Sequence, residues 1–447
     1  MDKPRIVVLG GGESGTGAAV LAHTKGFETF LSDTGKIAEK YREVLSHHGI
    51  PFEEAKHSER LILNASEIIK SPGIPESAPL VLKARELKIP VISEIEFAAR
   101  YTNAFLICIT GSNGKTTTTM LIWHILKNAG YNVGLAGNVG QSFALQVATC
   151  DFDYYVLELS SFQLDGMYDF KADVAVLTNI TPDHLDRYDH QLKLYAASKM
   201  RILRNQTEKD SFIWCADDKI TNEMLKNRSI TAKKYPISLN GQQAENGAWI
   251  ENEELIIHID NKTLNMNLEA LALQGKHNIC NSMAAGVASK IVNVRNEKIK
   301  ESLSDFAGVE HRLEFVANVH GIAFINDSKA TNINSTWYAL ESINHPIVWI
   351  CGGRDKGNDY TELLDLVRSK VKAIVCLGAD NSKIKAAFAD SVEIIEEYVT
   401  ARGAVEAAYN LAQKDDVVLL SPACASFDLF ENYEDRGRQF KQAVKRL

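Results

Sequence analysis

"ITGSNGKTTTTM", residues 109–120, ends as a phosphate-binding loop ends but begins differently. The common loop reads G-x-x-x-x-G-K-[ST]; here Gly114, Lys115 and Thr116 supply its end, and Ile109 stands where the first glycine belongs. A strand-like run, "AFLICIT" (104–110), leads in, and a helical run, "TTTTMLIWHILKNAG", leads out to Gly130. In that setting Gly111 and Gly114 let backbone amides wrap phosphate oxygens, Lys115 neutralises β/γ charge and the Thr116 hydroxyl can ligate magnesium. Strand, phosphate loop and helix together predict a parallel α/β domain that binds a nucleoside triphosphate.

Working outward, short apolar runs alternate with helical stretches through most of the chain, the pattern of parallel βαβ sheets. Three α/β domains are expected in the 447 residues. The first, 1–102, is Rossmann-like and opens with strand "RIVVL" (5–9), a glycine turn, a helix through "GAAVLAHTKG" and strand "FETFLSD". The second, 103–307, holds the phosphate loop in a mostly parallel sheet, with a small antiparallel patch between about 210 and 270, where an Asn240-Gly241 turn and a hairpin signal in "NGAWIENEELIIHID" occur. The third, 308–447, is a Rossmann-like α/β domain with strands "IAFIN", "IVWICGG", "AIVCLG" and "VVLLSP".

Composition narrows the function. A formal net charge of -8 argues against nucleic acid or an anionic membrane as the main partner, so anionic ligands must be held by local cations and backbone amides. The seven cysteines lie too far apart for a C-x-x-C pair and are expected as free, buried thiols. "MDKPRIVVLGGG" enters a strand without a secretory pattern, and no apolar run reaches bilayer length; a cytoplasmic location without membrane insertion is expected.

Four further segments carry chemistry. Gly10, Gly12 and Gly15 fit G-x-G-x-x-G between a strand and a helix, with Asp33 ending the next strand; this supports either a diphosphate-bearing ligand of unspecified base or a structural tight turn. "YYVLELSSFQL" ends a strand at Glu158, either a natural magnesium carboxylate or a local cap or ion-pair partner, and "LTNITPDHLDRY" offers Asp183 and His184, the latter either a second metal ligand or an ordinary loop histidine. Parallel sheets gather functional groups at their carboxyl ends, so both segments should face the phosphate loop. In the last block "HRLE" (311–314), "NDSKATN" (326–332), "GGRDKG" (352–357) and "SPACASFDLF" (421–430) supply the cations and hydroxyls that phosphate and carboxylate substrates require.

Taken in chain order, the T-G-S-N-G-K-T loop, "LELSSFQL", "TPDHLDRY", "GKHN", "HRLE" and "NDSKATN" resemble the ATP-dependent Mur ligases of peptidoglycan synthesis, over essentially the whole chain. Within that family, "KSPGIP" (70–75), "INDSKATN" and "LSPACASFDLFENYEDRG" resemble the branch that adds D-glutamate. The nearest string to the Asp-Asn-Pro-Arg of diaminopimelate-adding branches is Asp380-Asn381-Ser382-Lys383, which does not match. The resemblance implies a monomeric amide ligase acting on UDP-N-acetylmuramoyl-L-alanine, D-glutamate and ATP, with Mg2+ at two sites and an acyl-phosphate intermediate.

It also implies residue roles. The N-terminal glycine cluster becomes a site for the UDP end of the substrate, with Glu13, Ser14, Asp33, Thr34 and Ser71, while Asn138 lies near the muramoyl-alanine end; Gly35 stands where some relatives carry arginine. ATP contacts fall to Gly111, Ser112, Asn113, Gly114, Lys115, Thr116 and Thr117, to Asn278 near adenine, and to Arg312 and Asp327 of the third domain. Lys115, Glu158, His184 and Lys199 are the expected catalytic set, and Thr116, Glu158, His184 and Lys199 the metal set. Lys329, Thr331, Lys356, Ser426, Phe427 and Tyr433 match the D-glutamate pocket, although relatives often have phenylalanine at the last position. On its own, Lys199 in "YAASKMRIL" reads as a surface lysine; the resemblance makes it a carbamate formed with carbon dioxide. Hinges are expected near 101–103 and 306–309, closing the third domain over the second. The two rivals are a nicotinamide-dependent dehydrogenase, which leaves the phosphate loop idle, and a nucleotide switch, which leaves the cationic motifs of the last block idle.

Overall fold

The apolar runs form three sheets in a computed structural model that describes residues 3–226 and 228–447. The chain divides into two compact units, one ending at Phe306 and the other running from Ala307 to Leu447.

The first unit holds two sheets. One is five-stranded and parallel, in the order Phe52–Glu53, Glu28–Ser32, Arg5–Leu9, Glu67–Lys70, Val91–Ser93. The run "RIVVL" therefore sits centrally, and Val7 and Val8 are fully buried, as a strand covered on both faces by helices requires. The other sheet has nine strands. Its parallel part runs from Val133–Gly137 through Tyr154–Glu158, Phe105–Thr110, Val174–Leu177, Ser211–Cys215 and Lys233–Ser238 to Gly247–Glu251. Glu254–Ile259 and Lys262–Asn267 then continue the same sheet antiparallel. The hairpin expected in "NGAWIENEELIIHID" is present, turning at Asn252 and Glu253, both at positive φ. Asn240-Gly241 is not a hairpin turn: the strands on either side pair parallel, Ile237 with Ala248 and Ser238 with Trp249.

These two sheets share one apolar core, in which Ala18, Phe97, Phe143 and Tyr155 belong to a single cluster. Helix Glu13–Thr24 lies against helix Phe143–Thr149 so closely that a Cβ on Gly17 would collide with the Ser142 hydroxyl. Two buried carboxylates of the short helix Glu94–Ala99 cross-link them further. Glu94 accepts from the Ser142 hydroxyl and the Ala144 amide, both at 2.7 Å, at the N-terminus of helix Phe143–Thr149. Glu96 accepts the amides of Tyr168 (3.0 Å), Asp169 (3.2 Å) and Phe170 (3.0 Å). The hinge expected at 101–103 thus falls between parts already bound to each other through a shared core and buried hydrogen bonds.

In the second unit six strands order as Glu314–Val319, Ile322–Asn326, Val417–Leu420, Ile347–Cys351, Val371–Leu377, Ile395–Tyr398, with only the first pair antiparallel. Alternation along Ile347–Cys351 sends Trp349 to one covering layer and Ile350 to the other. Cys108, Cys351, Cys376 and Cys424 are buried free thiols as expected, whereas Cys150 is exposed at the end of a helix.

Candidate active site

In the first unit the phosphate loop forms between strand Phe105–Thr110 and helix Lys115–Asn128, at the carboxyl end of the nine-stranded sheet. Gly114 caps that helix at φ +80, and a Cβ there would meet the Asn281 side chain, so the position requires glycine on two counts. Neighbouring strand ends hold the loop: the Ser112 amide donates to Asn179 O (2.9 Å), the Asn113 amide to Asn179 Oδ1 (2.9 Å), and the Thr178 hydroxyl to Asn113 O (2.6 Å). "LTNIT" therefore scaffolds the loop as well as leading to Asp183 and His184. The Lys115 ammonium donates to Gly111 O (2.9 Å) and Ser112 O (2.8 Å), while Thr116 and Thr117 are buried in the first turn.

Glu158 ends its strand beside this loop, 1% exposed, and its Oε1 accepts from Asn138 Nδ2 at 2.9 Å. Asn138 is thus grouped with the phosphate-loop residues. His184 begins a short 3-10 turn with φ 52, 3.8 Å from Asp183 and with its ring 5.2 Å from that of Phe162. Lys199 is not a surface lysine. It is the last residue of helix Leu192–Lys199, 2% exposed, and donates to Gly111 O at 2.6 Å, so two ammonium groups share one carbonyl. Burial, reinforced by the charge of Lys115, pushes its pKa well below the usual lysine range, against the pull of Asp183, Glu158 and Asp165.

Two residues of this cluster escaped the sequence reading. Tyr195 lies one turn before Lys199, its hydroxyl 3.1 Å from that of Ser112 and its ring 4.5 Å from the Lys199 ammonium. Asn281 accepts from the Thr118 hydroxyl at 3.1 Å and donates to Asn278 at 3.3 Å; the first bond fastens helix Lys276–Ile291 to the first turn of the helix that follows the phosphate loop. The i, i+3 spacing of Asn278 and Asn281 was the available signal.

Among the described residues no three His, Cys, Asp or Glu side chains gather as a ready-made metal cage. Thr116 and Glu158 do suit Mg2+, which takes one or two protein oxygens and completes its shell with phosphates and water.

At the carboxyl ends of the five-stranded sheet a cavity of about 550 Å³ is lined by Leu9, Gly10, Asp33, Thr34 and the 73–81 segment. Of the residues expected at the UDP end, Asp33 and Thr34 line it. Ser71 lies against Gly10, and Glu13 is engaged elsewhere, accepting from the Tyr41 hydroxyl (3.0 Å) and the Ser142 amide (3.3 Å). Ser14 opens the helix next to Glu13 and is outside this lining.

In the second unit Arg312 faces Asp327 electrostatically, and Asp327 accepts from the Ser421 hydroxyl (3.0 Å) and the Leu313 amide (3.2 Å). Burial still raises the Asp327 pKa to about 7. The Lys329 ammonium lies 5.2 Å from the Tyr433 ring centre, and Ser426 is buried nearby in the chain from the exposed Phe427. Thr331 is half-buried, its amide bonded to Lys329 O, and Lys356 lies exposed in its loop. The residue that organises these loops, Arg436, was missed. Its guanidinium is 1% exposed and donates to Ser328 Oγ (3.0 Å), Ser328 O (2.9 Å), Gly352 O (3.4 Å) and Cys424 O (3.2 Å), fastening three strand-end loops to helix Tyr433–Val444.

Three family models match the chain: the MurD N-terminal domain over residues 5–79, the Mur ligase middle domain over 109–289, and the Mur ligase glutamate ligase domain over 311–424. A UDP-N-acetylmuramoylalanine--D-glutamate ligase of Bacteroides fragilis is 57% identical over 444 residues, 99% of this chain and 100% of the relative. One from Porphyromonas gingivalis is 55% identical over 443 residues, covering 99% and 98%. Among solved structures, the UDP-N-acetylmuramate-alanine ligase MurC of Thermotoga maritima shares the fold, with TM-score 0.63, 19% identity and 99% coverage of both chains.

Proposed function

The chain belongs to the Mur ligase family, and from that premise we propose that it joins D-glutamate to UDP-N-acetylmuramoyl-L-alanine at the expense of ATP. It is an ATP-dependent ligase of peptidoglycan precursor synthesis. The observation that carries the reading is the cluster at the phosphate loop. Lys115 and Lys199 converge on Gly111 O beside Glu158, which is itself tied to Asn138.

The reaction proceeds in two steps. The L-alanine carboxylate attacks the γ-phosphorus of ATP; a C–O–P linkage forms, the bond to the β-phosphate oxygen breaks, and ADP leaves. The D-glutamate amine then attacks the acyl carbon, an amide forms, and phosphate departs with the acyl oxygen while the amine loses its proton. Lys115 releases its loop carbonyls to follow the charge on the transferred phosphoryl group, and the loop amides act as fixed donors to it. Thr116, Glu158 and His184 are the residues that would hold Mg2+, which supplies charge neutralisation and orientation when bound. Lys199 is proposed as a carbamate: its ammonium gives up one proton, the neutral amine nitrogen bonds to the carbon of carbon dioxide and a second proton leaves it, turning a buried cation into an anion beside Lys115. In the second unit Lys329, on a loop fixed by Arg436, and Tyr433, at the start of the helix that carries Arg436, are proposed to receive the D-glutamate carboxylates, with Thr331, Ser426 and Lys356. Arg312 and Asp327 are proposed to serve ATP.

The test is phosphate release from ATP and Mg2+ in the presence of UDP-N-acetylmuramoyl-L-alanine, with each candidate amino acid added separately. Release that requires both the nucleotide sugar and D-glutamate, with stoichiometric amide product, supports the reading. Hydrolysis indifferent to both overturns it.

A further inference from the structure

One titratable group of the first-sheet cavity has no role in the reaction above. His57 lines that cavity together with Asp33, Thr34 and Glu59. Asp33 is already committed to the protein's own backbone, taking the Gly11 amide on Oδ2 (2.5 Å) and the Gly35 amide on Oδ1 (2.6 Å). The state of His57 follows from a chain of hydrogen bonds behind it.

The chain begins at Glu53, whose carboxylate accepts the Ser58 amide (2.7 Å), the Ser58 hydroxyl (2.6 Å) and the fully buried Ser32 hydroxyl (2.7 Å). Burial alone would raise its pKa, but those three donors hold it below the ordinary value, so Glu53 is ionised and can only accept. A hydroxyl has one proton, and that of Ser32 is given to Glu53. Ser32 Oγ also lies 2.7 Å from His57 Nδ1, and must accept there; Nδ1 therefore carries the hydrogen. Burial keeps the imidazole pKa below its ordinary value, against the charges of Asp33 and Glu53, so near neutral pH the ring is uncharged and this is its sole N–H proton. Nε2, across the ring from Ser32, is left as a lone-pair acceptor for whatever fills the cavity. The trio is not a nucleophilic triad, because the serine proton points to the carboxylate and away from the imidazole.

We propose that His57 selects the nucleoside of the nucleotide-sugar substrate by accepting, through Nε2, one hydrogen bond from it; this rests on the UDP-linked substrate proposed above. Uridine offers three such donors, the imide N3–H of the base and the ribose 2′- and 3′-hydroxyls. Cytidine presents a lone pair at N3, and the 2′-deoxy and 3′-deoxy analogues each lack one hydroxyl; the analogue missing the donor that His57 uses would leave Nε2 facing a group that cannot donate.

Calorimetric titration of the full chain with UDP, CDP, 2′-deoxy-UDP and 3′-deoxy-UDP separates the three donors. The wild type is expected to bind UDP at least about 10-fold more tightly than one of the analogues. His57→Ala is expected to weaken UDP by about 10-fold and to bind UDP and that analogue alike. His57→Gln, whose amide oxygen can accept, should recover UDP binding. Unchanged ATP affinity, read on the second sheet of the same unit, reports that each variant is folded. Equal wild-type affinity for all four nucleotides, or His57→Ala with undiminished UDP affinity, overturns the inference alone. A folded wild type that binds no UDP removes the functional reading and this inference with it.

Discussion

Replacing Glu96 with alanine should loosen the first unit from within. The carboxylate is 1% exposed and takes three consecutive backbone amides, Tyr168, Asp169 and Phe170, at 3.0–3.2 Å, with Arg100 3.7 Å away. An amide bond to a charged acceptor contributes about 1.5–3 kcal/mol net, and a buried amide left without a partner costs about 1–3 kcal/mol. The Phe170 amide is buried, whereas Tyr168 and Asp169 are exposed residues whose amides can recruit water. Counting one full loss and two partial ones gives about 3–5 kcal/mol. Glu96→Gln keeps one acceptor oxygen but aims an NH2 group at the amides, for about 1–3 kcal/mol. Because two units do not unfold as one transition, the assay is native-state hydrogen exchange at 168–170 and along helix Glu94–Ala99. Protection of those amides within about 0.5 kcal/mol of wild type in Glu96→Ala would refute the argument that this carboxylate binds the two sheets together.

Burial lifts the Glu94 pKa from 4.5 to about 7, and the other predictions begin there. Between those values the folded chain holds a proton that the unfolded chain has lost, so this group's stabilising contribution is full below the ordinary carboxylate pKa and is lost as pH rises toward 7, by up to about 3 kcal/mol. Glu94→Gln is expected to flatten that slope in urea unfolding between pH 5 and 7.5. Gly114→Ala must place a side chain at φ +80 against Asn281 and should cost about 1–2 kcal/mol in ATP affinity by titration. Lys199→Ala should lower ligation at least about 100-fold, and the carbamate carbon signal expected in wild type supplied with 13C-bicarbonate should be absent. Arg436→Met leaves the carbonyls of Ser328, Gly352 and Cys424 without their donor; a loss of about 3 kcal/mol in stability and a raised KM for D-glutamate, with KM for ATP less affected, are expected.

What the sequence made legible was local. Strand, glycine loop and helix at 104–128 follow from contiguous chemistry, and so do the alternating runs that became the three sheets. Lys199 was illegible from composition because its burial arises from helix Leu192–Lys199 packing on the Gly111 loop, a contact across 88 positions; only the motif resemblance singled it out. Arg436 left no local trace for the same reason, since its partners lie 12 to 108 residues away. Asn240-Gly241 misled because its backbone chemistry permits a tight turn without dictating how the flanking strands pair. The tie between the first two sheets is likewise tertiary, as Glu94 and Glu96 read in sequence as an ordinary acidic helix start.

That tie gives the first unit the character of a gauge. The cavity beneath Asp33 and the loop around Lys115 stand on sheets joined by one core and two buried carboxylates, so their separation is built in before any substrate arrives. A molecule anchored by its nucleoside in the cavity must be long enough, and no longer, to bring its carboxylate to the loop. On the binding places proposed above, substrate length becomes a selection criterion alongside the chemistry of either end, set by the span between the cavity and the loop.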